Sequence, residues 1–366
     1  MTICDLAPSN IRSIAPYQPG KPISELAREF GLEEARIIKL ASNENPLGVS
    51  PKAQAAIRSV LDGLALYPDG NGFELKSALS RHLGVAMDQL VLGNGSNDVL
   101  ELAARAFLAP SNSAVYSQHA FAVYPLAVQG IGATGIEVPA KNFGHDLAAM
   151  LRAIRSDTRI VFLANPNNPT GTFVPAPEME RFIAAVPAHV LIVLDEAYNE
   201  YLRPELRAQS VAWLKKYPNL LLTRTFSKVY GLAGLRVGYA AGSAGVADLM
   251  NRVRQPFNVN SISLAAAAAA LDDHAFVRQS YELNLAGMAQ VTGGLQKLEL
   301  AFIPSFGNFV TFKVKDARGV NLSLLKSGVI VRPIAGYGLP DWLRVSIGTE
   351  NENARFLASL KAAVSA

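Results

Sequence analysis

The sequence predicts an α/β protein in two parts: a large domain with a mainly parallel central sheet flanked by helices, and a smaller α+β domain. Three observations predict it. Between residues 113 and 245 short apolar runs alternate with helical stretches. The runs are apolar at every position rather than at every second one, so both faces of each strand are covered. After about residue 300 strand-like runs and helices mix in close succession, the pattern of a separate α+β unit. The expected division is 1–46 as an N-terminal arm and part of the small domain, 47–250 as the large domain and 251–366 as the small one.

In chain order, residues 1–46 carry scattered prolines and end in Leu40-Ala41-Ser42-Asn43-Glu44-Asn45-Pro46-Leu47-Gly48, a polar, turn-rich stretch that predicts a loop. Ser50 stands where a helix N-cap belongs, with Pro51 at the first helical position and apolar residues at helical spacing through Ile57, Val60, Leu61 and Leu64. Tyr67-Pro68-Asp69-Gly70-Asn71-Gly72 breaks that helix, and a second begins near Glu74. Leu90-Val91-Leu92 predicts a strand, followed by a glycine turn and a helix from Val99. Free backbone N–H groups at Ser96 and Asn97, with the helix dipole behind them, could cradle a phosphate; the same residues also read as an ordinary helix start.

Five further strands are predicted, at Ser113–Tyr116, Arg159–Ala164, Val190–Leu194, Asn219–Thr223 and Val237–Ala241. Residues 245–300 predict long helices interrupted at Gln255-Pro256-Phe257-Asn258-Val259-Asn260. The last third adds strands at Asn308–Val314, Gly328–Val331 and Trp342–Ile347, with helices at Leu322–Lys326 and Ala354–Val364.

Composition narrows the function. Of 366 residues 50% are hydrophobic and 17% charged, the balance of a packed enzyme rather than a disordered chain. A net charge of +4 with no basic block does not suggest nucleic acid or a membrane surface. The single cysteine, Cys4, precludes an intrachain disulfide framework and fits a cytoplasmic protein. Residues 1–20 lack the basic start and apolar run of an export signal, and the most apolar tract, 264–271, is far shorter than the ~20 residues of a membrane span.

In a parallel sheet ligands bind beyond the carboxyl ends of the strands. Three ends deliver a coherent set there: Asn165-Pro166-Asn167-Asn168-Pro169-Thr170-Gly171, Asp195-Glu196-Ala197-Tyr198, and Thr225-Phe226-Ser227-Lys228 with Arg236 eight residues beyond the lysine. Taken singly, each has a structural reading: Lys228 as a solvated loop residue, Asp195 as a helix cap, the prolines as a tight turn. Together they meet the needs of pyridoxal phosphate, which requires an amine to form an imine, a carboxylate for its ring nitrogen, donors to its phenolate oxygen and an anion site.

These motifs, in this order, resemble the fold type I pyridoxal-phosphate aminotransferases. The resemblance runs from end to end and is nearest to the histidinol-phosphate aminotransferase branch. It includes Pro16-Tyr17-Gln18-Pro19-Gly20-Lys21-Pro22, Tyr67-Pro68-Asp69, Gly95-Ser96-Asn97-Asp98, Phe121-Ala122-Val123-Tyr124-Pro125, Arg332 and Arg344. By position, it implies that Lys228 forms the Schiff base and shuttles a proton, Asp195 pairs with the ring nitrogen, and Tyr198 and Asn168 donate to the phenolate oxygen. Thr225, Ser227, Arg236 and the backbone at Ser96 and Asn97 would hold the phosphate, and Phe121 would stack on the ring where many relatives carry tyrosine. Tyr67 would reach the phosphate from the partner subunit of a homodimer.

Substrate binding would fall to Tyr17, Asn43, Arg332 and Arg344, with histidinol phosphate in one half-reaction and glutamate or 2-oxoglutarate in the other; no metal is implied. Two alternatives share the cofactor, an aromatic amino-acid aminotransferase and a threonine-phosphate decarboxylase-like enzyme. A third, a non-catalytic sensor, would need a DNA-binding domain for which there is no room before Asn43.

Overall fold

The structure, a computed structural model, describes residues 2–365. Seven strands form the central sheet in the spatial order Leu90–Gly93, Gly238–Ala241, Leu220–Thr225, Leu191–Asp195, Thr158–Ala164, Ser113–Ser117 and Thr134–Val138. Gly238–Ala241 is antiparallel to both neighbours; the remaining pairs are parallel. The mainly parallel sheet is thus as predicted. Every residue of Ser113–Ser117 and Leu191–Asp195 is buried, as continuous apolar runs require. The edge strand Thr134–Val138 was not expected from the sequence, because Thr134, Gly135 and Glu137 are exposed and leave no apolar run.

Helices cover both faces. On one side Ser96–Phe107, Val123–Ile131 and Ala244–Val253 bury Leu100, Tyr124 and Met250 against the sheet. On the other, Pro51–Val60, Phe73–Leu83, Ala176–Ala185 and Ser261–Leu271 close a larger core around Leu75, Phe182 and Leu264. The first of these begins as the sequence indicates, with the Ser50 hydroxyl accepting from the Ala53 N–H at 3.1 Å and Pro51 at the first position. The alanine-rich helix Ser261–Leu271 packs against Pro51–Val60 and Phe73–Leu83, its small side chains letting the helices approach. A division at residue 250 assigns this helix to the C-terminal part, but its side chains belong to the core of the large sheet.

The small unit has a four-stranded antiparallel sheet, Arg332–Pro333, Trp342–Ser346, Phe309–Lys313 and Phe302–Ile303, covered by His274–Lys297, Ala317–Lys326 and Glu350–Ser365. Phe312 and Phe356 meet edge to face in its core at 5.8 Å. The arm has regular structure ahead of the loop expected at Leu40–Gly48. It contains the helix Ile23–Phe30, and Ile38–Lys39 pairs in parallel with Val329–Ile330, joining the chain's beginning to the small unit.

For the site, register matters most. Ala164, Asp195 and Thr223 are successive cross-strand neighbours, so the segments following them leave one edge of the sheet side by side.

Candidate active site

At that edge lies a cavity of about 470 Å³. Of the residues expected at a site, Tyr17, Asn43, Ser96, Asn97, Phe121, Asn168, Asp195, Tyr198, Thr225, Ser227, Lys228, Arg236, Arg332 and Arg344 all line it. Tyr67 does not: it is 82% exposed and stacks on Phe257 at 4.7 Å. A neighbouring cavity of about 670 Å³ adjoins across Tyr17, Arg332 and Tyr337, and none of the groups around Lys228 line it.

Lys228 follows the Leu220–Thr225 strand, and its Nζ donates to the Ser42 carbonyl at 3.1 Å and lies 5.8 Å from the centre of the Tyr198 ring. Burial lowers its pKa to about 7, helped by the positive charges of Arg344 and Arg236 and opposed by Glu44 and Asp195. A large fraction of the amine is therefore uncharged at neutral pH, which a nucleophilic amine needs.

Asp195 is 5% exposed. Its Oδ2 accepts from the Tyr124 hydroxyl at 2.8 Å and its Oδ1 from the Ala197 N–H at 3.2 Å. Burial, opposed by these hydrogen bonds, raises the carboxyl to about 6, so it remains mainly an anion at neutral pH. Tyr198 is pushed up to about 12, chiefly by burial, and stays a phenol. Its oxygen accepts from the Asn43 amide at 2.9 Å, which leaves its own proton free to be donated elsewhere.

The anion end is built from backbone. The helix Ser96–Phe107 starts after Gly95, and no side chain caps it. Gly95 has φ +87°, and a Cβ there would run into the Arg236 guanidinium; a Cβ on Gly238 would collide with the Ser96 nitrogen. Only glycine allows so close an approach at either position. Arg236 donates to Ser227 Oγ at 3.3 Å and to the Ala233 carbonyl at 3.0 Å, so it is held beside the helix start. This cradle, the buried carboxylate and a lysine uncharged in part at neutral pH, all in one cavity, fit pyridoxal phosphate by their donor set.

Arg344 and Arg332 stand on the small-unit side. Arg344 is 6% exposed; it donates to Asn168 Oδ1 at 2.5 Å and to the Ala41 carbonyl at 2.7 Å, while its Nε has no partner among the described residues. A buried, partly unsatisfied guanidinium favours an anionic ligand. Arg332 lies 5.4 Å from the centre of the Tyr17 ring and donates to the Gln18 carbonyl, linking the arm to the site.

Some functional neighbours were not singled out from the sequence. Ser346 accepts from the Asn43 N–H at 2.7 Å and donates to Asn43 Oδ1 at 2.9 Å, and Asn308 donates to the Asn43 carbonyl at 3.1 Å. Together they hold Asn43 at φ +55°, a conformation asparagine tolerates better than most residues. The signal was present, since Ser346 lies two residues beyond Arg344 on one strand and so shares its face. Tyr124, three residues after Phe121, is a second such neighbour.

The family model for class I and II aminotransferases matches residues 35–360. The chain is 63% identical over 365 residues to histidinol-phosphate aminotransferase 2 of Nitrosospira multiformis, covering 100% of this chain and 93% of that one. It is 64% identical to histidinol-phosphate aminotransferase of Methylobacillus flagellatus, over 98% of this chain and 97% of the relative. Among solved structures, histidinol-phosphate aminotransferase from Sinorhizobium meliloti in complex with pyridoxal-5'-phosphate matches with a TM-score of 0.89 at 29% identity, covering 98% and 97% of the two chains.

Proposed function

The chain belongs to the class I and II aminotransferases, and we propose that it moves an amino group between L-histidinol phosphate and 2-oxoglutarate, giving imidazole-acetol phosphate and L-glutamate, as a pyridoxal-phosphate-dependent homodimer. The observation that carries the substrate reading is the pair Arg344 and Arg332, with Tyr17, facing the cavity that also holds Lys228. Guanidinium groups accept a phosphate ester or a carboxylate with the same geometry, so one site can receive both substrates in turn.

When bound, pyridoxal phosphate supplies an electron sink for the negative charge left when the amine-bearing carbon loses its proton. The chain's own residues do the rest. Lys228 Nζ, uncharged in part at neutral pH, would hold the cofactor through its amine and, once released by the amino substrate, would take the proton from that carbon. Asp195 pairs with the ring nitrogen and keeps it protonated. Tyr198 donates its free proton to the phenolate oxygen, joined by the amide nitrogen of Asn168, whose oxygen is occupied by Arg344. Thr225, Ser227, Arg236 and the N–H groups of Ser96 and Asn97 would bind the phosphate, and Phe121 would pack against the ring.

Tyr67 supports the dimer: it is exposed and does not line its own cavity, yet carries a phenol suited to a partner's phosphate. A cytoplasmic setting accords with a single, exposed cysteine. Among the described residues no helix is long and apolar enough to cross a membrane.

Steady-state kinetics with 2-oxoglutarate as acceptor test the substrate. We expect kcat/KM for histidinol phosphate to exceed that for phenylalanine at least about 100-fold, because phenylalanine's one anion is a singly charged carboxylate directly on the amine-bearing carbon, with less charge and reach toward two arginines than a phosphate ester one carbon further out. Equal or better turnover of phenylalanine makes the protein an aromatic aminotransferase instead.

A further inference from the structure

Tyr124 is fully buried and lies outside the cavity. Its ring stacks on Phe162 at 4.9 Å with 9° between the planes. Phe121, which lines the cavity, meets it edge-on at 5.9 Å and 85°. Two aromatic contacts at right angles leave the phenol little freedom, and its hydroxyl is aimed at Asp195 Oδ2 from 2.8 Å.

We propose that Tyr124 is a positioning residue for the cofactor: its phenol fixes the direction the Asp195 carboxylate faces and keeps it the anion with which a protonated heteroaromatic nitrogen pairs. The proposal rests on the reading that this site takes pyridoxal phosphate. A neutral donor suits the task better than a cation. Arginine or lysine at this place would also favour the carboxylate's charged form, but its own charge would compete with the ring nitrogen for the same anion. A phenol stabilises the anion and adds no charge. Its own ionisation is driven well upward, first by burial and then by Asp195, so it stays a donor throughout the working range. The other titratable groups facing Asp195 are Glu196, Tyr198 and Lys228, with Thr223 beside it on the neighbouring strand. Among the described residues, Tyr124 is the side chain whose hydroxyl donates to the carboxylate at 2.8 Å.

The test uses two near-isosteric changes. Tyr124→Phe removes the donor, and site-specific incorporation of 3-fluorotyrosine at 124 makes the phenol a stronger one. The Asp195 carboxyl is followed by 13C NMR in the cofactor-free protein, its resonance assigned with Asp195→Asn, and the dissociation constant of pyridoxal phosphate is measured for each form from pH 5.5 to 8. In the wild type the titration midpoint is expected at about 6. Tyr124→Phe should raise it by about 1 pH unit, and the fluorinated phenol should lower it. The pH profile of cofactor affinity should move in the same two directions, with about tenfold weaker binding for the phenylalanine variant near pH 7. Should Tyr124→Phe fail to fold, the fluorinated protein alone decides the sign. An unmoved titration in the variants, even with a lower melting temperature, overturns the proposal and leaves Tyr124 a packing residue. A moved titration with an unmoved affinity profile overturns it too. Failure of the wild type itself to bind pyridoxal phosphate is a separate result, and it overturns the functional reading along with this one.

Discussion

Lys228 sits where a charged amine is disfavoured, and that has a measurable cost in the cofactor-free protein. In the unfolded chain the amine titrates near the ordinary lysine value, while in the folded chain it titrates at about 7. Between those values the unfolded state binds a proton that the folded state does not, so stability rises with pH across the window and is lost as pH falls through 7. Cofactor-free Lys228→Met should lack this dependence. We expect it to melt above the wild type at pH 6 by the equivalent of about 2–3 kcal/mol, below the full shift because the side chain is only partly buried, with the advantage shrinking toward pH 10. Loaded with cofactor, the same variant should have no transaminase activity. Asn43 makes a contrasting case, since its role depends on neighbours. Ser346→Ala removes two hydrogen bonds to Asn43, loosens the side chain that donates to Tyr198 and leaves buried polar atoms unpaired. A loss of about 1–3 kcal/mol in denaturant unfolding is expected, along with a kcat decrease larger than any change in KM.

At the scale of elements, the start of the helix Ser96–Phe107 and the strand Gly238–Ala241 are matched surfaces. Gly238→Ala changes no group that touches the cofactor, yet its methyl would press on the Ser96 nitrogen and push the helix start away from Arg236. Titration of the cofactor-free variant with pyridoxal phosphate should show at least about tenfold weaker binding, with overpacking costing about 1–3 kcal/mol of stability. Much at this scale was legible in the sequence. Strands buried on both faces reveal themselves as unbroken apolar runs, so Leu191–Asp195 and Leu220–Thr225 lie within two residues of their predicted limits. Thr134–Val138 could not be read that way, being exposed and paired along one edge only. Ile38–Lys39 is two residues long, and what makes it a strand, Val329–Ile330, lies some 290 residues away, leaving no local pattern to detect. The site divides similarly. Groups that project from strand ends into the cavity were identified by type and order, whereas Tyr124 and Ser346 act on those groups from outside and needed distances to be found.

At the scale of the molecule, the proposed homodimer makes a prediction that one chain cannot satisfy alone. If Tyr67 serves the partner's site, hybrids of a Lys228→Ala chain and a Tyr67→Ala chain contain one intact site: the lysine of the second with the tyrosine of the first. Mixing the two inactive parents under conditions that exchange subunits should restore activity, up to half the wild-type value per dimer in the exchanged fraction. No recovery despite proven exchange would place Tyr67 outside catalysis. The segment 41–43 carries a different consequence. Ala41 holds Arg344, Ser42 holds Lys228 and Asn43 holds Tyr198, while the chain just before them pairs with residues 329–330. Segment 41–43 therefore reaches its place only when residues some 300 positions later in the sequence are present, and a chain truncated before Ser346 would keep the strands of the parallel sheet but lack the groups that complete the site. A preparation containing such truncated chains would thus turn over less substrate than its protein content implies.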